Sequence, residues 1–335
     1  MRRWSLTFII VVVAFLVVPF IGNDYWFSAI LIPFLALALA GLGLNILTGY
    51  AGQLSLGSAA FMAVGAFAAY NFQLRVPHLP LLVSFALGGL TAALVGVAFG
   101  LPSLRIKGFY LIVSTLAAQF FVEWALTKIG WFTNNNASGV ITAPPLVILV
   151  HDFSSPRGRY LLTLGIVVVL TIVARNLINS ASGRNWTAVR DLDTAAAVIG
   201  IPVTRVKLGA FAVSSFYCGV AGALWAFAYL GTVEPAGFDL DRSFQILFIV
   251  IIGGLGSLRG PFLGAAFIVL VPIFMNQLAQ AISGGRIDSG HIENLQKIVF
   301  GGLILVLLIK EPEGLARLVQ PTPIGRIRKW AVSRT

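Results

Sequence analysis

The chain has 335 residues, of which 58% are hydrophobic and only 10% charged, with a formal net charge of +11. Soluble domains carry about 25% charged residues, so a water-facing surface is excluded for a chain of this size and lipid is its natural solvent. The basic residues punctuate apolar runs instead of clustering on a polar domain, which suits an anionic cytoplasmic leaflet and argues against nucleic acid as a partner.

The first apolar run follows Met1-Arg2-Arg3-Trp4 and reaches Phe20. It resembles a secretory leader, but Ile21-Gly22-Asn23-Asp24 offers no small-x-small cleavage site and further runs follow at once. It is read as a retained first helix. Apolar stretches then recur, giving predicted spans near 6–22, 27–47, 53–72, 79–101, 109–129, 160–178, 207–230, 243–258, 261–282 and 295–310. A crossing needs roughly 20 residues, so the eighth and tenth are short. The expected fold is all-α: a polytopic transmembrane helical bundle of about ten spans, forming one membrane domain over 1–335.

Placing the N-terminus inside puts Arg75, Lys128, Arg157, Arg159, Arg242, Arg286 and Lys297 outside and the other sixteen basic residues inside. That asymmetry satisfies the positive-inside rule with both termini in the cytoplasm. Gly88, Ala92, Gly96 and Gly100 form an every-fourth stripe on the fourth span, and Gly256, Gly260 and Gly264 repeat the spacing. Small residues at that interval let helices approach closely in lipid, so the stripes predict a compact bundle. Cys218, the single cysteine, lies in an apolar run and is expected to be a small packed residue.

Little chemistry is available inside the membrane. His78, His151 and His291 fall in predicted outer loops, which removes an intramembrane Ser–His pair, and no Cys/His cluster suggests a metal. Glu123 is the one acidic residue well inside a span, with Gln119 one turn before it. A structural or pore-lining role is expected for Glu123, since one acid is thin provision for a proton relay. No phosphate-cradling loop ending in Gly-Lys-Ser/Thr is present, and Ile282-Ser283-Gly284-Gly285-Arg286 is read as a chance match to an ATPase signature.

Two segments break the apolar pattern. In Gly43–Phe61, four glycines with Asn45, Thr48, Gln53, Ser55 and Ser58 interrupt the region. Irregular backbone at membrane depth survives only when buried in protein or lining a wet cavity, and discontinuous helices often mark substrate paths. A tight cytoplasmic turn is the other reading, and the two can coexist. The second segment is the inner loop from Arg175 to Lys207. Asp193–Pro202 within it reads as a short helix, with Asp193 as N-cap and Gly200 in the left-handed C′ position. Too short to stand alone, it calls for a partner groove or the bilayer surface.

These segments resemble the LivM-type permease subunits of the branched-chain amino acid ABC importer family. Thr194-Ala195-Ala196, three residues, then Gly200 is similar to the EAA loop of ABC importers, with Thr194 where Glu often stands. Gly43–Phe61 resembles the family run GLNLLTGYAGQLSLGHAAF. Leu104–Leu111, Gly253–Pro261 and Glu311-Pro312-Glu313-Gly314-Leu315 also resemble family motifs, so the likeness covers nearly the whole chain. It departs at Ser58, where His is common, and at Asn135–Gly139, where Gly-Gly-x-x-Gly is common. The resemblance implies a non-catalytic permease subunit of the prokaryotic inner membrane. Its partners would be a homologous LivH-type permease, two cytoplasmic ATPases that use ATP and Mg, and a periplasmic or lipid-anchored solute-binding protein; no cofactor is bound by this chain itself. It implies an ATPase-coupling loop with Arg184, Arg190, Asp193, Thr194, Ala195, Ala196 and Gly200. Asn45, Thr48, Gly52, Gln53, Ser55 and Ser58 are the translocation-path candidates. Branched-chain amino acids are the expected substrate, with urea, amides or aromatic acids as the alternative.

Overall fold

In lipid every backbone N–H and C=O needs a partner within the protein, which drives the apolar runs into helices. The computed structural model describes residues 12–103, 109–136, 139–148, 151–283, 298–299, 301–302, 304–305, 309 and 314–319. Its main helices are α1 (Val12–Ile21), α2 (Trp26–Tyr50), α3 (Ser58–Arg75), α4 (Leu81–Ser103), α5 (Phe109–Lys128) and α6 (Pro156–Asn179). They continue with α7 (Ala181–Asp191), α8 (Asp193–Val198), α9 (Val203–Leu230), α10 (Leu240–Gly253) and α11 (Gly260–Ser283). Among the described residues, α2, α4, α6, α9 and α11 are long and apolar enough to cross a membrane. The protein is an all-α, multi-pass membrane protein.

Most predicted spans appear with shifted ends. The third begins at Ser58 rather than 53, because 51–57 is irregular. The eighth is Leu240–Gly253, only 14 residues. Of the first, Val12–Ile21 is described. Most of the tenth, together with His291 and the segment 284–286, lies outside the described residues. Two short antiparallel pairs were not expected: β1 (Ile141–Thr142) with β4 (Thr232–Val233), and β2 (Val147–Ile148) with β3 (His151–Asp152).

Helix α2 is the axis of the bundle. Its most apolar stretch is 83% buried, as is that of α9, against 22% for α11. A helix apolar all round belongs in the interior, and α2 touches α6, α9, α10 and α11. The exposed faces elsewhere carry Leu90, Leu94, Val169, Ile172 and Phe274, which suits lipid or a partner helix.

The α4 stripe packs as predicted. A Cβ at Gly88 would meet the Gly65 carbonyl of α3 at 2.5 Å, one at Gly96 would strike Ser215 of α9, and one at Gly100 would meet Phe211 at 3.3 Å. The second stripe is not a single helical stripe. Gly256 lies in the turn after α10, while Gly260 and Gly264 open α11 and press on α10. Cys218 is buried, with its Sγ directed at the Ala40 carbonyl, 3.8 Å away. Tyr217 donates to the Leu170 carbonyl and Tyr160 to that of Ala14, tying α9 to α6 and α6 to α1.

Candidate functional site

The interrupted segment begins where α2 loosens. Ile46–Tyr50 is a π-helical turn, a form frequent at functional sites. The chain turns over Ala51–Gln53, with the Thr48 hydroxyl donating to the Gln53 carbonyl at 3.0 Å and the Gln53 N–H to the Leu47 carbonyl at 3.0 Å. Gly52 is left-handed at φ +70°, and any Cβ there would meet Arg190 Cγ at 2.7 Å. Both facts demand glycine.

After the turn the chain runs back alongside the helices as irregular backbone. The Leu56 N–H donates to Thr115 Oγ1 at 3.0 Å, and the Gly57 N–H to Ser55 Oγ at 3.2 Å. At the start of α3, the Ala59 N–H donates to Ser243 Oγ at 2.9 Å and the Ala60 N–H to Gln119 Oε1 at 2.6 Å. The Ser243 hydroxyl also donates to Gln119 Oε1, and Gln119 Nε2 donates to the Phe238 carbonyl. These contacts cap amides that have no partner inside the helix. Thr115 and Gln119 stand about 9 and 15 Å along α5 from Phe109, at 1.5 Å per residue. Helix α3 therefore starts near mid-depth of α5. The tight turn and the irregular membrane-depth backbone are both present, one after the other.

Of the path candidates, Asn45, Thr48, Gln53, Ser55 and Ser58 are buried, and Gly52 is exposed. Gln53 is 3% exposed and both ends of its amide lack a hydrogen-bond partner. Ser58 lies beside Cys218. Asn45 instead clasps the turn after α10: its Oδ1 accepts from the Gly256 N–H and its Nδ2 donates to the Ser257 carbonyl, both at 2.9 Å. Gly314 packs on Gly254, and the Leu315 N–H donates to the Ile252 carbonyl at 2.8 Å. Three separate sequence motifs thus meet at one end of the bundle. Of Leu104–Leu111, only 109–111 are described.

The long loop over 175–207 meets the same place. It is more ordered than one short helix: α7 is capped by Ser180, buries Trp186 and Val189, and donates from Trp186 Nε1 to the Val206 carbonyl. Arg190, near its end, donates through Nη1 to the Gly49 carbonyl at 2.7 Å and through Nε to Asp191 at 2.9 Å. Gly49 sits in the last turn of α2, where carbonyls lack helical partners and a cation is favoured. Arg184 donates to the Asn179 carbonyl at 3.2 Å and is exposed.

Helix α8 ends as expected and starts differently. Gly200 has φ +88°, the Ile201 N–H donates to Ala196 and the Gly200 N–H to Ala197, which is a Schellman ending. Asp193 is not the N-cap. Leu192 holds that position without a side-chain bond, and Asp193 lies in the first turn, 3.7 Å from Lys207. Its charge faces the helix dipole and the lysine instead of a backbone N–H. Ala196 is also not on an outward docking face: it is the one buried residue of α8. The outward face carries Thr194, Ala195 and the exposed apolar side chains Leu192, Val198 and Ile199, at 65%, 87% and 73% exposure.

Gln119 is fully engaged in the cap of α3, while Glu123 one turn on is partly exposed. Thr115, Ser243 and Gly256 were missed as site residues. A single hydroxyl in an apolar run has no spacing signal, and only Gly256, inside a quoted motif, could have been flagged.

The sequence model of a family described as branched-chain amino acid transport system, permease component, matches residues 26–308. The chain is 30% identical over 307 residues to the high-affinity branched-chain amino acid transport system permease protein LivM of Salmonella typhimurium, covering 84% of this chain and 68% of that protein. The LivM of Escherichia coli gives the same identity and coverage over 308 residues. The fructose import permease protein FrcC of Rhizobium meliloti is 32% identical over 120 residues, a third of each chain. No solved structure matches.

Proposed function

The chain belongs to the branched-chain amino acid transport permease family, and on that premise we propose that it forms one half of the translocation path of an ATP-driven branched-chain amino acid importer. The other half is a LivH-type permease; two ATPases use ATP and Mg on the cytoplasmic side, and a solute-binding protein delivers substrate from outside. The end carrying Tyr50, Asp191 and Gly254 faces the cytoplasm, and the membrane is the prokaryotic inner membrane. This chain is a permease subunit with no covalent chemistry of its own.

The observation that supports this most is the Arg190–Gly49 hydrogen bond. It joins the proposed ATPase-coupling loop to the interrupted segment proposed to line the path. Leu192, Val198 and Ile199 offer an apolar patch on α8 for an ATPase groove, which would meet the helix's need for a partner. Displacing α8 moves α7, because the two helices are in contact and only Leu192 separates them. Arg190 then passes the displacement to Gly49 and the Gly52 turn. Two packings of such an interface alternate access to the path. Gln53, with both amide ends unpartnered, is the polar group placed to meet a passing solute.

The test is uptake of labelled L-leucine into proteoliposomes holding the complete complex, with and without internal ATP. ATP-dependent uptake that vanishes when this chain is omitted is expected. ATP-dependent transport of another solute in its place would remove the amino-acid assignment.

A further inference from the structure

Trp225 opens the π-helical segment Trp225–Leu230 of α9, the second such turn to end a buried helix. Its ring is 3% exposed, and its indole N–H has no hydrogen-bond acceptor. The guanidinium of Arg242, the third residue of α10, lies 4.3 Å from the ring centroid. Arg242 Nη1 donates to Gln245 Oε1, but its Nε, also buried, has no acceptor. Among the described residues no carboxylate stands within ion-pair distance of it. Asp239 and Asp241, the two acids next to it in sequence, lend it negative charge without an ion pair, and Asp239 Oδ1 accepts the Arg242 backbone N–H.

A second arginine–tryptophan pair shows what a plain clasp looks like. Arg75 lies 3.9 Å from the Trp131 centroid, is exposed, and donates Nη2 to the Trp131 carbonyl. Stacking alone accounts for that pair. It does not account for Trp225 Nε1 and Arg242 Nε, two buried donors without an acceptor on side chains in contact, the second on a half-buried cation that the neighbouring aspartates do not pair. The ligand that suits two adjacent N–H donors and one positive charge is an acceptor with two oxygens and one negative charge.

We propose that Trp225 and Arg242 form a binding point for the carboxylate of a small organic acid, on the route to the interrupted segment. The position fits, since Ser243, the next residue, caps the start of α3 where the irregular backbone ends. The assignment rests on the proposed function only in reading that segment as the path.

The probes are sodium 4-methylpentanoate and its neutral isostere 4-methylpentanamide, titrated into the complex in nanodiscs. The readout is the part of the tryptophan fluorescence lost in Trp225→Phe. A saturating response to the carboxylate, about tenfold or more weaker for the amide, is expected. The response is expected to disappear in Arg242→Gln and to persist, weakened, in Arg242→Lys. Equal responses to carboxylate and amide, or an undiminished response in Arg242→Gln, would overturn the assignment. Should Arg242→Gln fail to assemble, Arg242→Lys decides: weaker carboxylate binding with unchanged amide binding supports the site, and no change in either removes it. Leucine uptake run in parallel separates the two readings. A carboxylate response without leucine uptake keeps this site and removes the substrate. Leucine uptake at wild-type KM by Arg242→Gln removes this site and keeps the importer.

Discussion

Two arginines each stand beside a π-helical turn that ends a buried helix, and they are treated in opposite ways. Arg190, of α7 and beside the end of α2, gives its donors to the Gly49 carbonyl and to Asp191. Arg242, beside the end of α9, keeps a buried donor without an acceptor and rests on a tryptophan whose own N–H is unpartnered. A cation whose hydrogen bonds close within the chain fixes geometry, and one whose hydrogen bonds do not is available to a ligand. The capped start of α3 lies between the two and holds them in one frame, because Ser243 of the Arg242 helix and Gln119 both end on it.

That shared frame is where the largest effect is expected. Gln119→Leu strands the Ala60 N–H and the Phe238 carbonyl, and each buried unpaired group costs about 1–3 kcal/mol. The chain in detergent should lose on the order of 3 kcal/mol in a thermal or denaturant melt. A loss of less than about 1 kcal/mol would mean the cap carries no load between the two regions.

Arg190→Ala sharpens the comparison at the end of α2. The hydrogen bond is charge-assisted, but the side chain is 36% exposed, so its contribution to stability is reduced to about 1 kcal/mol. Insertion should be normal while ATP-driven leucine uptake falls at least about tenfold, a change of 1.4 kcal/mol in coupling. Arg190→Lys should recover part of it. Uptake that survives in Arg190→Ala would cut the proposed link.

Gly200→Val tests the loop beyond Arg190. Nothing lies within 4 Å of a Cβ there, so the expense is the left-handed backbone alone, about 1 kcal/mol. Proteolysis of the 191–203 loop should quicken while the bundle melts unchanged. The smallest expected effect on stability is that of Val198→Glu, within about 0.5 kcal/mol for an exposed side chain. It should nevertheless weaken co-purification of the ATPases, because a charge enters the apolar patch. Undiminished co-purification and substrate-stimulated ATP hydrolysis would move the docking surface off α8. Ala196→Glu cannot serve here, since Ala196 is buried against the chain itself.

Much was legible in order of residues alone. Sparse charge and long apolar runs dictate a helical membrane protein, because lipid offers the backbone no other partner. The Gly88–Gly100 stripe announced a close helix contact, and the Gly200–Pro202 ending announced where α8 stops, since both depend on local spacing and backbone conformation. The polar break at Gly43–Phe61 announced irregular backbone. What spacing could not announce is which distant group answers which. Thr115 and Gln119 meet the irregular segment and the start of α3 across 59 residues of sequence, and Ser243 meets it across 184. Arg190 meets Gly49 across |i−j| 141, and Asn45 meets Gly256 across 211. Asp193 had the residue type of an N-cap, but Lys207 and the chain direction at Leu192 decided otherwise. Local chemistry fixes elements because their hydrogen bonds close within a few residues. The seam, the two arginines and the outward face of α8 were decided only by tertiary packing, because their partners are brought together by nothing nearer than the fold.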